Sequence, residues 1–316
     1  MVLIVRNCEV HKPVLLTEVL TALAVKPGGI YVDCTFGRGG HAKALLECVG
    51  STGRVFALDK DPEAVRVGTE LARSDPRFVM EKASYTALAS LAKTKWKVFG
   101  RVDGLLLDLG VSSPQLTDPE RGFGFMVDGP LDMRMDPSEG ISAAKWLHGV
   151  PESEIVRILK TYGEERHARR IARAIVSERQ KSPIETTSQL ANVVVRVNPF
   201  KKRKRHPATR TFQAIRIHIN QEIDELKGIL DKVIGVLAVG GRFAVISFHS
   251  LEDRLVKRFI RTFSREVLLA RRLPVMSREM QPKLLAVQKK PIRPSPEEVE
   301  KNPRARSALL RVAEKL

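Results

Sequence analysis

Ile30-Tyr31-Val32-Asp33-Cys34-Thr35-Phe36-Gly37-Arg38-Gly39-Gly40-His41 decides how the rest of the chain is read. A short apolar run suited to a buried strand passes into a glycine turn, and a helix is expected from about Gly40. A strand that ends in glycines and feeds a helix lets a ligand approach the backbone. It also aims the free N–H groups of the helix start at that ligand. Working outward, the same unit recurs. Residues 54–58 read as a second buried strand that ends at Asp59-Lys60-Asp61-Pro62, and Pro62 suits the first turn of a helix over 62–73. A third strand at 77–80 leads to a helix over 85–96, and a fourth strand at 102–108 ends in Asp108. Strand followed by helix, repeated, predicts an α/β protein with a parallel sheet covered on both faces. Ligands of such sheets bind at the carboxyl ends of the strands, where Asp33, Asp59, Asp61, Ser84, Tyr85 and Asp108 gather.

The pattern changes after Asp108. Residues 109–138 are rich in Gly, Pro, Asp and Met without a period, too long for a plain connection and so read as a functional loop. Amphipathic helices are expected over 141–148, 152–162, 164–180 and 186–196, with no strand among them. A basic run, Lys201-Lys202-Arg203-Lys204-Arg205, lies between Pro199 and Pro207. One long helix is expected over 208–237, stopped by Gly240-Gly241, and the sheet resumes with strands at 242–248 and 307–313 around a helix at 251–265. The expected organisation is therefore a sheet domain in two parts, residues 1–138 with the loop and residues 207–316, interrupted by a helical substrate-recognition insert at 139–206.

Composition narrows the partners. With 54 Lys and Arg against 36 Asp and Glu, the net charge of +18 points to a polyanion: nucleic acid, the ribosome or an anionic membrane. Aromatic residues make up only 5%, which argues against rows of base-stacking rings. Cys8, Cys34 and Cys48 have no metal-ligand spacing, so no metal and a reducing compartment are expected. Neither a secretory leader nor an apolar run long enough to span a bilayer is visible. A soluble cytoplasmic protein with no membrane partner is the expectation; a homodimer is left open.

Two ligands compete for the glycine turn. A dinucleotide site needs G-x-G-x-x-G, but no glycine stands three residues after Gly39. S-adenosylmethionine carries a sulfonium and an amino-acid group instead of a pyrophosphate. Asp33 before the turn, the turn of Gly37, Gly39 and Gly40, Asp59 for ribose hydroxyls, and Asp108 where sulfonium and substrate would meet suit it better.

Longer blocks carry a resemblance. Thr35-Phe-Gly-Arg-Gly-Gly-His41, Asp108-Leu-Gly-Val-Ser-Ser-Pro-Gln-Leu116, Arg121-Gly-Phe-Gly-Phe125, Asp128-Gly-Pro-Leu-Asp-Met-Arg-Met-Asp136, Tyr162-Gly-Glu-Glu165, Pro207-Ala-Thr-Arg-Thr-Phe-Gln213 and Ser247-Phe-His-Ser-Leu-Glu-Asp-Arg254 are similar to the signature blocks of the ribosomal RNA small-subunit methyltransferase H (MraW) family. The resemblance implies a Rossmann-like class I methyltransferase fold with a mostly parallel seven-stranded sheet and an inserted helical domain. It also implies S-adenosylmethionine as donor and N4-methylation of a cytidine in the decoding region of 16S ribosomal RNA, in the small ribosomal subunit. Cofactor contacts then fall on Gly39, Gly40, His41, Asp59, Tyr85, Asp108 and Gln115; the family often has Phe where this chain has Tyr85.

Cytosine N4 is a poor nucleophile, so an in-line pose and an acceptor for its proton are needed. Asp108 is the first candidate, although the Pro-Pro-aromatic wall of many amino-methyltransferases is replaced here by Leu109-Gly-Val-Ser-Ser-Pro114. Asp132 in the loop and His249 after the fifth strand are the others, each with an alternative as a structural hydrogen-bonder. Phe123 or Phe125 is expected to help unstack the base. RNA phosphates are expected at Lys201, Lys202, Arg203, Lys204, Arg205 and Arg210, with further arginines at 166, 169, 170 and 173. The alternatives are a DNA or protein methyltransferase of the same fold, and a non-catalytic ribosome-associated RNA-binding protein.

Overall fold

The computed structural model describes residues 13–198, 206–264 and 281–316. The expected phosphate grip at Lys201, Lys202, Arg203, Lys204 and Arg205 lies outside them. Contacts divide the chain into two compact units, Met1–Leu109 with Lys227–Leu316, and Gly110–Leu226.

In the first unit the chain runs α1 (Leu16–Ala22), β1 (Ile30–Asp33), α2 (Gly40–Cys48), β2 (Arg54–Asp59), α3 (Pro62–Ser74), β3 (Phe78–Lys82), α4 (Leu88–Thr94) and β4 (Val102–Asp108). β1, β2 and β4 are buried along almost their whole length, as continuous apolar runs in a doubly covered sheet must be, while β3 at the edge is buried only at Phe78. Asp61 caps α3 by accepting from the Glu63 N–H, with Pro62 in the first turn, as the sequence predicts. The chain then enters the second unit.

There it forms α5 (Ser113–Thr117), α6 (Ala143–Gly149), α7 (Glu152–Gly163), α8 (Ala168–Arg179), α9 (Thr187–Val197) and α10 (Thr209–Ile219), and returns along α11 (Glu222–Val236). The core of this unit holds Trp146, Ile155, Ile158, Ile171, Leu190, Phe212 and Ile215, together with Phe123, Leu131 and Met133 from the loop. The loop and α10 thus belong with the helices, and the compact unit is longer at both ends than the 139–206 insert read from the sequence. Apolar side chains without a period gave no sign of that allegiance. The single helix expected over 208–237 is broken: Asn220 ends α10 and Gln221 takes a left-handed φ of 54°.

Back in the first unit, β5 (Leu237–Ser247) is followed by α12 (Ser250–Phe263), β6 (Leu284–Ala286), α13 (Pro296–Lys301) and β7 (Leu309–Lys315). Gly240-Gly241 do not stop a helix. They form a bulge inside β5, where the register with β4 jumps from Val102–Leu237 to Gly104–Arg242. Gly240 has φ +74°, and a Cβ on Gly241 would lie 2.6 Å from the Val102 carbonyl oxygen. The sheet order is β3-β2-β1-β4-β5-β7-β6, with β1 to β5 parallel and β7 antiparallel to both neighbours. This is the mostly parallel seven-stranded α/β sheet expected. Its core includes Tyr31, Phe36, Leu45, Leu106, Ile246 and Leu310. Among the described residues no helix is long and apolar enough to cross a membrane.

Candidate active site

Because β1, β2 and β4 are parallel neighbours, their last residues, Asp33, Asp59 and Asp108, share one edge of the sheet. The glycine turn follows Asp33 directly. Gly37 has φ +56° and its N–H donates to Asp59 Oδ2 at 2.8 Å, so the acid of the second strand shapes the turn after the first. The other oxygen of Asp59 accepts from the Asp61 N–H at 2.9 Å, and the Lys60 backbone donates to the same carboxylate. Burial raises the Asp59 carboxyl above its ordinary range, against the pull of these backbone donors.

Gly39 opens α2 in the left-handed region at φ +77°, and no side chain caps this helix. A Cβ on Gly39 would strike the Phe36 ring at 2.6 Å, and one on Gly40 would collide with Pro13. The turn therefore offers bare backbone and the N–H groups of a helix start. On the other side, Thr35 ties the two strands together: its N–H donates to Asp33 Oδ1 at 3.1 Å, and its hydroxyl oxygen accepts from the Asp108 N–H at 2.7 Å.

His41, 5% exposed, points back at these acids. Its Nε2 lies 3.6 Å from Asp108 Oδ2, an ion-pair distance too long for a good hydrogen bond. Burial works to lower its pKa, but the carboxylates of Asp108 and Asp33 outweigh this and hold it above the ordinary value. Asp33, 1% exposed, is pushed up to about 6, chiefly by burial and against the charge of His41. Asp33 Oδ2, Asp108 Oδ1 and both His41 nitrogens have no hydrogen-bond partner among the described residues. Buried polar atoms are seldom left so. The two carboxylate oxygens fit a ligand that brings positive charge and donors, and the imidazole nitrogens one that also brings acceptors. Tyr85, half-buried, opens the turn after β3, where Ser84 accepts from the Thr86 N–H. Cys34 is buried and its thiol is pushed up by burial, as a packing residue's would be.

His249 caps α12. Its Nδ1 accepts from the Glu252 N–H, while the Glu252 carboxylate accepts from Phe248 and His249 N–H at 2.8 and 3.3 Å. With Nε2 3.1 Å from Glu252 Oε1, the imidazole is held at a helix start.

The second unit treats its candidates differently. Arg134 clamps Asp132 with Nε on Oδ1 at 2.9 Å and Nη2 on Oδ2 at 2.6 Å. Burial would raise this carboxyl, but the guanidinium holds it below the usual range, which suits a structural anion and not a base. Gln115 is 5% exposed and forms a capping box: its Oε1 accepts from the Ser112 N–H at 2.8 Å. Arg210 is exposed and donates to the Glu164 carbonyl at 3.0 Å. Phe123 is buried, and Phe125 packs on His206 and Phe212 with ring centroids 4.7 Å apart in each case.

From the sequence Asn220 could face the cleft or pair within its helix; it is buried. Its Oδ1 accepts from the Met135 N–H at 2.7 Å, and its Nδ2 donates to the carbonyls of Met133 at 2.7 Å and Arg216 at 2.9 Å. It pins the loop where Met133 is left-handed at φ +63° and fully buried. The intrahelical pairing is present in the bond to Arg216, and the loop backbone takes the rest of the amide.

The chain is similar to known proteins along almost its whole length. A profile described as the MraW methylase family matches residues 9–316. The chain is 54% identical over 306 residues to the ribosomal RNA small subunit methyltransferase H of Nitrosococcus oceani, with 96% of each chain covered. It is 54% identical over 306 residues to the protein of that name from Thioalkalivibrio sulfidiphilus, covering 97% of each. The Coxiella burnetii protein is 51% identical over 309 residues, 98% of this chain and 99% of that one.

Proposed function

The chain belongs to the MraW methylase family, and from that premise we propose that it transfers a methyl group from S-adenosylmethionine to the exocyclic N4 of a cytidine in the decoding region of 16S ribosomal RNA. The observation that carries the chemistry is the set of buried, partnerless atoms at the strand ends: Asp33 Oδ2, Asp108 Oδ1 and the two nitrogens of His41. These residues fit the cofactor. The uncapped start of α2 would take its carboxylate, Asp59 its ribose hydroxyls, and Asp33 and Asp108 the positive charge of its amino and sulfonium groups. When bound, the cofactor supplies an electrophilic methyl group.

The chain's own residues do the rest. Asp108 ends β4 with one carboxylate oxygen toward His41 and the other without a partner. That second oxygen accepts the proton that N4 must lose. His41, held toward its protonated form, keeps Asp108 ionised between turnovers. Holding N4 in line with the transferred methyl removes on the order of 7–11 kcal/mol from the barrier. Asp132 acts as a support, clamped by Arg134; His249 caps α12 through Nδ1, beside Glu252, while its Nε2 has no hydrogen-bond partner among the described residues. In the same reading, Arg210 and the exposed arginines of α8 contact RNA phosphates without reading sequence, and the reaction is cytoplasmic.

The test is methyl transfer to small ribosomal subunits isolated from a strain lacking the modification, followed by nucleoside mass analysis. Label is expected in N4-methylcytidine. Label in protein, or in another nucleoside, overturns the substrate, and failure to bind S-adenosylmethionine in calorimetry overturns the enzyme reading itself.

A further inference from the structure

Met126 is 86% exposed and Val127 61%, an adjacent apolar pair on the surface of the helical unit. Leaving apolar surface in water is unfavourable, and the backbone on both sides of this pair is fastened. On one side, Phe125 is wedged between His206 and Phe212. On the other, Asp128 Oδ1 accepts from the Ser188 N–H at 2.9 Å. Gly129 and Thr187 exchange bonds, with the Gly129 N–H donating to the Thr187 hydroxyl at 3.2 Å and the Thr187 N–H to the Gly129 carbonyl at 2.9 Å. A Cβ on Gly129 would collide with the Pro119 carbonyl. The backbone is thus fastened on both flanks, and the two side chains are held out between the fastenings.

The same unit carries exposed Arg169, Arg170 and Arg173 on α8, none with an acid partner among the described residues. An apolar point on a basic body suits nucleic acid, where cations hold phosphates and small apolar side chains enter between bases. The rings of the loop cannot serve, since Phe123 is buried and Phe125 is packed away. We propose that Met126 and Val127 form an apolar wedge that enters a base step of the RNA substrate and holds its stack open. This rests on the RNA-methylation reading, because a base in a stacked helix must be unstacked before its amino group can be reached.

The experiment uses the full chain, filter binding across a salt series and two RNA probes: a hairpin carrying a paired cytidine and an unstructured oligonucleotide of the same composition. The variant is Met126→Ser with Val127→Ser; Met126→Leu is the conservative control. The double variant is expected to bind the hairpin about tenfold more weakly at every salt concentration with an unchanged salt slope, since no phosphate contact is lost. The unstructured RNA should lose little, and M126L should bind as the parent does. Unchanged hairpin affinity, a flattened salt slope, or equal loss on both RNAs overturns the wedge. Label found outside RNA in the parent chain's methyl-transfer assay is the separate result that removes the substrate reading.

Discussion

The strand ends around Asp33, Asp59 and Asp108 and the loop from Gly110 to Ser138 both concentrate acids, and they use them in opposite ways. At the strand ends, two carboxylate oxygens and both nitrogens of an imidazole are buried with no hydrogen-bond partner among the described residues. In the loop, Asp128 accepts from Ser188, Asp132 from Arg134 and Asp136 from Ser138. Buried polar groups without partners cost free energy that a ligand can return. Satisfied groups hold a shape. The first region is therefore organised to bind something, and the second to be a fixed surface.

Neutralising an acid in each region is the sharpest way to break that distinction. Asp108→Asn keeps the side-chain shape but removes the proton acceptor, and kcat for methyl transfer is expected to fall by about 10²–10⁴-fold. Asp132→Asn, measured in parallel, should leave kcat within about threefold and lower the melting temperature, because it loosens the Arg134 clamp. If Asp132→Asn abolishes transfer in a folded protein, the loop holds a base and the comparison fails.

Asp33 tests the cost stored at the strand ends. Burial holds this carboxyl at about 6, against 3.8 for an unburied one. The folded state thus favours the proton. The stability contribution is fully present below pH 3.8 and is lost as pH rises through about 6, a difference of about 3 kcal/mol at most. His41, raised as well, changes in the same direction over a higher range. Asp33→Asn is therefore expected to raise the melting temperature of the ligand-free protein at pH 8, to do so about half as much at pH 5 and hardly at all below pH 4, and to weaken S-adenosylmethionine binding. A variant that melts lower than the parent at pH 8 would mean that no such cost is stored.

Asn220 tests the fixed surface. Asn220→Ala leaves the Met135 N–H and a Met133 carbonyl bond unmade beside a left-handed Met133. The expected cost is about 2–4 kcal/mol, read as a lower denaturant midpoint and faster hydrogen exchange at 133–136. Cofactor affinity should stay within about twofold. A larger loss would tie the loop to cofactor binding and sharpen the expectation for Gln115.

These regions also differ in how well the sequence announces them. The glycine turn, Asp59 and Asp108 were readable because strand–helix alternation fixes where strands end, and only glycine tolerates the turn's positive φ. The loop was set apart from plain connections by its length alone. Its internal order rests on Met133 and Asn220, and on the left-handed Gln221, at which no residue-type preference signals a break. The Gly240-Gly241 bulge looked like a helix stop because glycine serves both roles. β6, Leu284–Ala286, is too short to show a period. Contacts between residues far apart in sequence were beyond reach altogether, and one of them bears on the glycine turn.

Glu298 on α13 accepts from the Leu15 N–H at 2.8 Å, across 283 positions of sequence. Leu15 is fully buried at a left-handed φ of 56°, a conformation that a β-carbon makes costly and that its surroundings must enforce. Two residues earlier, Pro13 fills the space above Gly40. Glu298 therefore fastens the segment that covers the start of α2, and its charge adds to those that raise His41. Acceptor and charge can be separated. Glu298→Ala removes both and should cost about 1–2 kcal/mol, with a several-fold loss of S-adenosylmethionine affinity. Glu298→Gln keeps an oxygen for Leu15 and should restore most of the stability, yet an NMR titration should find the His41 pKa lower than in the parent. If glutamine restores both properties, the charge does nothing at the turn and Glu298 is a fastening alone. If it restores neither, the Leu15 bond depends on the carboxylate's charge, and the cover over α2 is held more weakly than its geometry implies.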